Sequence, residues 1–191
     1  MVEVYEQCPV LEDDKYLLRL VDLEDANDLL KVYSDEKAFP YFNSDNCNDN
    51  FHYKTIERMQ EAIKFWIYAY EVKAFVRWSI IDKDSREAIG TIELFNRPSN
   101  DSFNGCGLLR LDLRSDYENQ DCIKEILSII MSSTYDLFHC NMIVTKAVPS
   151  ASERIHALKH MGFEQSEDKL VGPDGTEFDH YLVCFKNSKE S

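Results

Sequence analysis

The chain is short of positive charge: 21 Lys and Arg stand against 35 Asp and Glu in 191 residues, for a formal net charge of −14. That deficit argues against broad contact with nucleic acid or anionic lipid, since both need a basic face to displace counterions. An anionic ligand would need a locally positive pocket, whereas a free amine or a basic peptide would be drawn in by the field. Long hydrophobic runs are missing too, and none approaches the roughly 20 residues of a membrane-spanning helix. The opening "MVEVYEQCPVLEDDK" has neither the basic nor the apolar segment of a secretory leader, which predicts a cytoplasmic protein. The six cysteines form no Cys-x-x-Cys pair, and no His falls at zinc-finger spacing. Buried free thiols are the simplest reading, and no metal is expected. His156 and His160 share a helix face but lack an evident third ligand. Repeats and linkers are absent as well, so residues 1–191 are read as one domain with one core.

What is present is a sequence of clear changes in period. "YLLRL" (16–20) predicts a strand, and "DLEDANDLLKVYSD" a helix that Asp22 can cap. "EKAFPYFNSDNCNDN" reads as an exposed loop, and "KTIERMQEAIKFWIYAY" as a second helix. "AFVRWSIID" and "AIGTIELF" predict a hairpin, and "LLRLDL" a third strand of that group. Helical spacing returns in "CIKEILSIIMSSTYDLF". "NMIVTKAV" follows as a buried strand, then "SASERIHALKHMGF" as a helix capped by Ser150 or Ser152 and ended by Gly162. A last strand closes "GPDGTEFDHYLVCF". The order β-α-α-β-β-β-α-β-α-β-β predicts an α+β, mixed α/β domain.

One stretch poses a chemical question. "DLRSDYENQDCIKEIL" (112–127) reads as a strand end, a loop and a helix start, where backbone N–H groups can hold a phosphate. Yet the loop has no glycine, and Asp116, Glu118 and Asp121 surround the place an anion would take.

The element order, the hairpin "AIGTIEL" and the late "HMGF" together resemble the GNAT superfamily of N-acetyltransferases, over about residues 16–186. "IGTIEL" and "MGFEQ" resemble most the branch of ribosomal-protein and small-amine acetyltransferases. The resemblance implies a single GNAT-like domain: a mixed, mostly antiparallel sheet with one splayed parallel strand pair, flanked by about four helices. It implies acetyl-coenzyme A as co-substrate, bound in the V between "LLRLDL" and "NMIVTKAV". Backbone at Leu111, Leu113 and Arg114 would meet the thioester and pantetheine. The stretch Asn119, Gln120, Asp121, Cys122, Ile123 and Lys124 would meet the pyrophosphate, with Ala151 and Arg154 on the closing helix. An amine, on a small molecule or a peptide N-terminus, would attack the thioester directly; monomer and homodimer both stay open.

The ligand-facing residues depart from the family's pattern. Asn119 and Asp121 stand where its loop has glycines, and Ala151, Arg154 and His156 where its later helix has Asn, Ser and Arg. A carboxylate at Asp121 about 5 Å from a phosphate charge would cost roughly 3 kcal/mol at an effective dielectric of about 20. The alternative reading of Asp121 is a helix cap. A proton-taking carboxylate is expected at Glu93 or Asp112, with salt-bridged strand residues as the alternative. Leu158 stands where many relatives carry an acid tyrosine. Phe39, Tyr41 and Phe42 are candidates for a substrate wall, with some of the aromatics serving as core. A second functional class follows from these departures: a protein that keeps the fold, binds coenzyme A weakly or not at all, and serves as a sensor or interaction module.

Overall fold

Alternating apolar and polar residues build the centre of an eight-stranded sheet in the computed structural model, which describes residues 3–186. In chain order the described residues form β1 (Leu11–Glu12), β2 (Tyr16–Leu20), α1 (Ala26–Tyr33), α2 (Ile56–Glu71), β3 (Val76–Asp82), β4 (Ala88–Arg97) and β5 (Cys106–Leu113). Then come α3 (Gln120–Leu137), β6 (Met142–Lys146), α4 (Ser152–His160), β7 (Glu164–Gln165), β8 (Leu170–Val171), β9 (Glu177–Phe178) and β10 (Tyr181–Phe185). The sheet order is β1-β2-β3-β4-β5-β6-β10-β7, while β8 and β9 pair separately. Every pairing is antiparallel except β5 with β6. This is the expected mixed sheet with one parallel pair and four α-helices among the described residues.

The sheet's two faces differ because the strands alternate. Trp78, Ile80, Ile92, Leu94, Leu109, Leu111 and Leu113 pack with Ile123, Ile126, Leu127 and Ile130 of α3 in the main core. Fully burying each such side chain stabilises by about 1.5–3 kcal/mol. Under α1 and α2 lies a second core, where Leu29, Val32, Tyr33, Met59, Ile63 and Trp66 meet. Polar residues of β3, β4 and β5 face that side.

Local signals account for several boundaries. Asp22 closes a capping box on the short 3₁₀ turn before α1. Thr55 caps α2 by accepting from the Arg58 N–H. Gly162, at φ +91°, follows α4 in the left-handed region. The expected serine cap on α4 is corrected: Ala151 is the N-cap, without a side-chain bond, and Ser152 is already helical. The two-residue strands β1, β7, β8 and β9 were beyond reach of periodicity, which needs longer windows.

Gly90 has a structural reason. A Cβ at this position would collide with the carbonyl oxygen of Asp112, where β4 lies against the end of β5. Gly90→Ala therefore costs about 1–3 kcal/mol, read as a lowered denaturation midpoint. An unchanged midpoint would show that the two strands can part freely at this point.

Candidate active site

The splayed pair is where the family resemblance implies it. β5 and β6 are paired at Gly107–Ile143, Leu108–Val144 and Leu109–Thr145, and there the pairing stops. Thr145 Oγ1 donates to the Leu109 carbonyl at 2.9 Å, closing the apex of a V. Beyond it Arg154, buried on α4, spans the gap. Its Nη1 donates to the Leu111 carbonyl at 2.7 Å and to the Tyr41 carbonyl at 3.4 Å. Its Nε and Nη2 clamp Glu118 at 2.7 Å each. A cleft of about 420 Å³ opens beside this bridge, with Lys37, Tyr41, Ser115, Glu118, Glu153 and Arg154 in its lining.

At the start of α3 the backbone donors already hold anionic or amide oxygens of the protein itself. Glu153 accepts from the Gln120 N–H at 2.9 Å, and Asp35 from the Ser115 N–H at 2.9 Å. Asn119, not Asp121, is the helix cap: its Oδ1 accepts from the Cys122 N–H at 3.1 Å. Asp121 is 84% exposed and pairs with Lys124 at 3.1 Å, so the capping alternative is corrected. Arg114 chelates Asp116 at 2.7 and 3.0 Å and reaches Glu87 at 3.0 Å. Each cation that could offset the acidic loop, Arg114, Lys124 or Arg154, is thus tied to a carboxylate. Leu113 and Ile123 are buried in the main core, and Ala151 is buried at the start of α4.

On the other face of β5, cross-strand register assembles two polar rows. Arg77, Glu93 and Arg110 are direct neighbours across β3, β4 and β5, and so are Ser79, Thr91 and Asp112. All six are buried. Arg77 donates to one Glu93 oxygen, and Arg110 to the other at 2.5 Å. Burial alone would raise the Glu93 carboxyl, but the two guanidinium groups outweigh it and hold it below the usual carboxylate range. Both of its oxygens are therefore engaged, the salt-bridged alternative of the sequence reading.

Asp112 has a different environment. Its Oδ2 accepts from Tyr33 at 2.8 Å and from Arg77 at 3.3 Å, whereas Oδ1 is buried without a hydrogen-bond partner among the described residues. Burial raises its carboxyl above the ordinary aspartate value, because Arg77 and Tyr33 only partly counter the desolvation. The same burial, with Asp112 alongside, pushes the Tyr33 phenol far upward, so it stays protonated and donates.

An aromatic pocket of about 550 Å³ lies over the Arg77–Glu93–Arg110 row, with Phe51, Phe65, Trp66, Phe75 and Phe95 in its wall. The Arg77 guanidinium stacks 4.2 Å from the Trp66 ring centroid. Asn46 and Phe51, both in the lining, hold φ at +57°, a left-handed conformation uncommon for a bulky side chain. The loop before it is pinned across the V: Asp45 accepts from Lys146 of β6 at 2.6 Å, and its carbonyl from Arg110 of β5 at 3.0 Å.

Phe39, Tyr41 and Phe42, the candidates for a substrate wall, lie in different surroundings. Phe39 stacks on His52 at 4.5 Å and Phe42 packs on Tyr33 at 5.2 Å, so neither lines the aromatic pocket. Tyr41 lines the cleft beside Arg154 instead. Arg77, Arg110 and Tyr33 had drawn no attention as site residues. For Arg77 and Arg110 the signal was present in the polar positions of "VRWSI", "GTIEL" and "LLRLDL", which alternate in phase on three adjacent strands, while Tyr33 on α1 had none. Among the described residues, no group of three His, Cys, Asp or Glu is arranged for a metal ion. No helix there is long and apolar enough to cross a membrane.

Comparison with known proteins agrees with this geometry. Residues 15–164 match the acetyltransferase (GNAT) domain. An 84-residue stretch is 30% identical to the uncharacterized N-acetyltransferase YoaA of Bacillus subtilis, covering 44% of each protein, so the match spans less than half of that relative. The fold is similar to that of a ribosomal-protein-S5-alanine acetyltransferase from Vibrio fischeri, with a TM-score of 0.70, 16% identity and coverage of 96% of this chain and 100% of that one. It is also similar to RimL, a ribosomal L7/L12 α-N-protein acetyltransferase solved with coenzyme A, with a TM-score of 0.68, 12% identity and coverage of 93% and 98%. The splayed β5–β6 pair, the helix start beside it and the matched domain lead to one conclusion: the chain belongs to the GNAT acetyltransferase family.

Proposed function

We propose that the protein transfers the acetyl group of acetyl-coenzyme A to a primary amine, on a small molecule or a peptide N-terminus, directly and without an acyl-enzyme. The observation that carries this reading is the V at Leu109–Thr145, with a strand end on one side and a helix start on the other. Acetyl-coenzyme A, when bound, supplies the activated acyl group. The residues that would hold it are Leu111, Leu113 and Arg114 along the strand end, the backbone from Asn119 to Lys124, and Ala151 with Arg154 across the cleft. Several donors there now serve Glu153, Asp35 and Asn119, and a helix N-terminus that attracts a carboxylate attracts a phosphate for the same reason. Arg154 would leave the Leu111 carbonyl to admit the pantetheine arm. Asp112 serves as the base: its free Oδ1 sits at the strand end, and its raised carboxyl is matched to taking a proton from an ammonium group. Glu93 fixes Arg77 and Arg110 beside it. Thiol release from acetyl-coenzyme A, followed over a panel of small amines and peptides, tests the reading; amine-dependent release supports it, and none with any acceptor speaks against it.

A second reading rests on the Arg154 bridge itself. With Leu111, Tyr41 and Glu118 all held by one buried guanidinium, the fold would bind the coenzyme weakly and act as a sensor or interaction module. Two substitutions separate the causes of weak binding. Glu153→Ala frees the Gln120 N–H and removes a charge near the pyrophosphate, and acetyl-coenzyme A binds about tenfold more tightly by calorimetry. Asp121→Gly removes an exposed, solvent-screened charge and changes affinity by less than about threefold. The reverse ranking would return the handicap to Asp121.

A further inference from the structure

The aromatic pocket carries more information than its family does, because its charged groups are unequally satisfied. Two carboxylates stand in its lining, and neither is free. Glu93 is held by Arg77 and Arg110, and Asp49 by Arg58 and by the Tyr53 hydroxyl at 3.0 Å. A cationic group entering the pocket would meet no unpaired carboxylate. The donors are the opposite case: Arg77 and Arg110, 1% and 8% exposed, each keep a buried Nε–H without a partner among the described residues. With Arg58, Arg77 and Arg110 against Asp49 and Glu93, the lining carries three positive and two negative charges. In a chain of net charge −14 this is a local inversion of sign.

Buried donors left unpaired are costly, by about 1–3 kcal/mol each, and a ligand oxygen that satisfies them recovers that cost. We infer that the pocket takes an amine that also carries a carboxylate on an aromatic or other apolar body, an amino-acid-like small molecule, with Arg77 and Arg110 reading the carboxylate. This inference rests on the acetyl-transfer reading and deepens it. It also replaces the cationic acceptor that bulk charge suggests. Arg110 and Asp112 are alternate residues on one face of β5, roughly 7 Å apart along the strand, and Asp112 lies outside the pocket lining. The aromatic wall accommodates the body, and about 550 Å³ is within the usual range for a small-molecule site.

The test is binding of acceptors alone, by calorimetry on the full chain without coenzyme, with thiol release from acetyl-coenzyme A measured in parallel. The probes are phenylalanine, phenylalaninamide and phenethylamine, which share one body and differ at the carboxylate. Phenylalanine is expected to bind at least about tenfold more tightly than the other two. Arg110→Lys keeps a cation for Glu93 but removes the free Nε–H, and is expected to shrink that ratio to below about threefold while its melting stays close to that of the parent protein. Equal or tighter binding of phenylalaninamide would favour a peptide N-terminus and overturn the inference, as would tighter binding of phenethylamine or no binding of any probe. Preference for phenylalanine without thiol release would leave the inference standing and overturn acetyl transfer instead.

Discussion

Arg77→Met is expected to lower stability by about 3–5 kcal/mol, the cost of removing one partner from a buried ionic network. The residue is 1% exposed and meets Glu93, Asp112, Thr91 and Tyr33 through one guanidinium that also stacks on Trp66. Methionine fills comparable volume, so the loss measures charges stranded rather than space emptied. For a domain of this size the midpoint falls by roughly 6–20 °C. Adding Asp112→Asn to the variant is expected to restore part of the loss, because Glu93 keeps Arg110 whereas Asp112 has lost its cation, and asparagine there is neutral. A single variant melting within about 2 °C of the parent would mean that the row is not the sheet's electrostatic centre.

The second large effect belongs to Asp112→Asn. If Asp112 takes the amine's proton, kcat/KM falls by about 10²–10⁴-fold while the protein stays folded. In the parent protein, kcat/KM declines as the pH drops through the Asp112 value, which burial sets above the ordinary aspartate value of about 3.9. The stability profile gives an independent check. A carboxyl raised on folding binds its proton more tightly in the folded state, so its stabilising contribution is complete below the unfolded value and is lost as pH rises through the folded one. Asparagine cannot titrate, so the stability of the variant relative to the parent improves across that same window. An unchanged pH–rate profile in Asp112→Asn would remove Asp112 from the proton path, whatever its effect on rate.

Much of the frame was legible because it rests on long periodic segments. "CIKEILSIIMSSTYDLF" fixes the buried stripe of α3, and alternation in "LLRLDL" sets Leu111 and Leu113 against Asp112 on opposite faces, as found. The order of strands and the parallel pair followed from the resemblance that those segments carry. The electrostatic detail was not legible, since it depends on register. Arg77 and Arg110 are 33 positions apart in the chain, and only the pairing of Arg77 with Glu93 and Glu93 with Arg110 makes them neighbours. The role of Arg154 was hidden for the same reason: Glu118 is 36 residues away, and helix position alone does not reveal a side chain crossing a cleft. Asp121 drew notice for its charge, yet the carboxylate on the helix start comes from Glu153 on another element.

Coenzyme binding in the β5–β6 cleft is the claim on which the rest depends. Thermal unfolding of the full chain with increasing acetyl-coenzyme A tests it most directly. Ligand at a hundred times its dissociation constant adds about 2.7 kcal/mol of stability, which raises the midpoint by roughly 5–10 °C. A saturable rise of that size is the expected result, and it would show that the Arg154 bridge and the Glu153 carboxylate yield to the coenzyme. A midpoint unmoved at millimolar acetyl-coenzyme A would contradict the account and leave a GNAT fold whose cleft is closed by its own side chains.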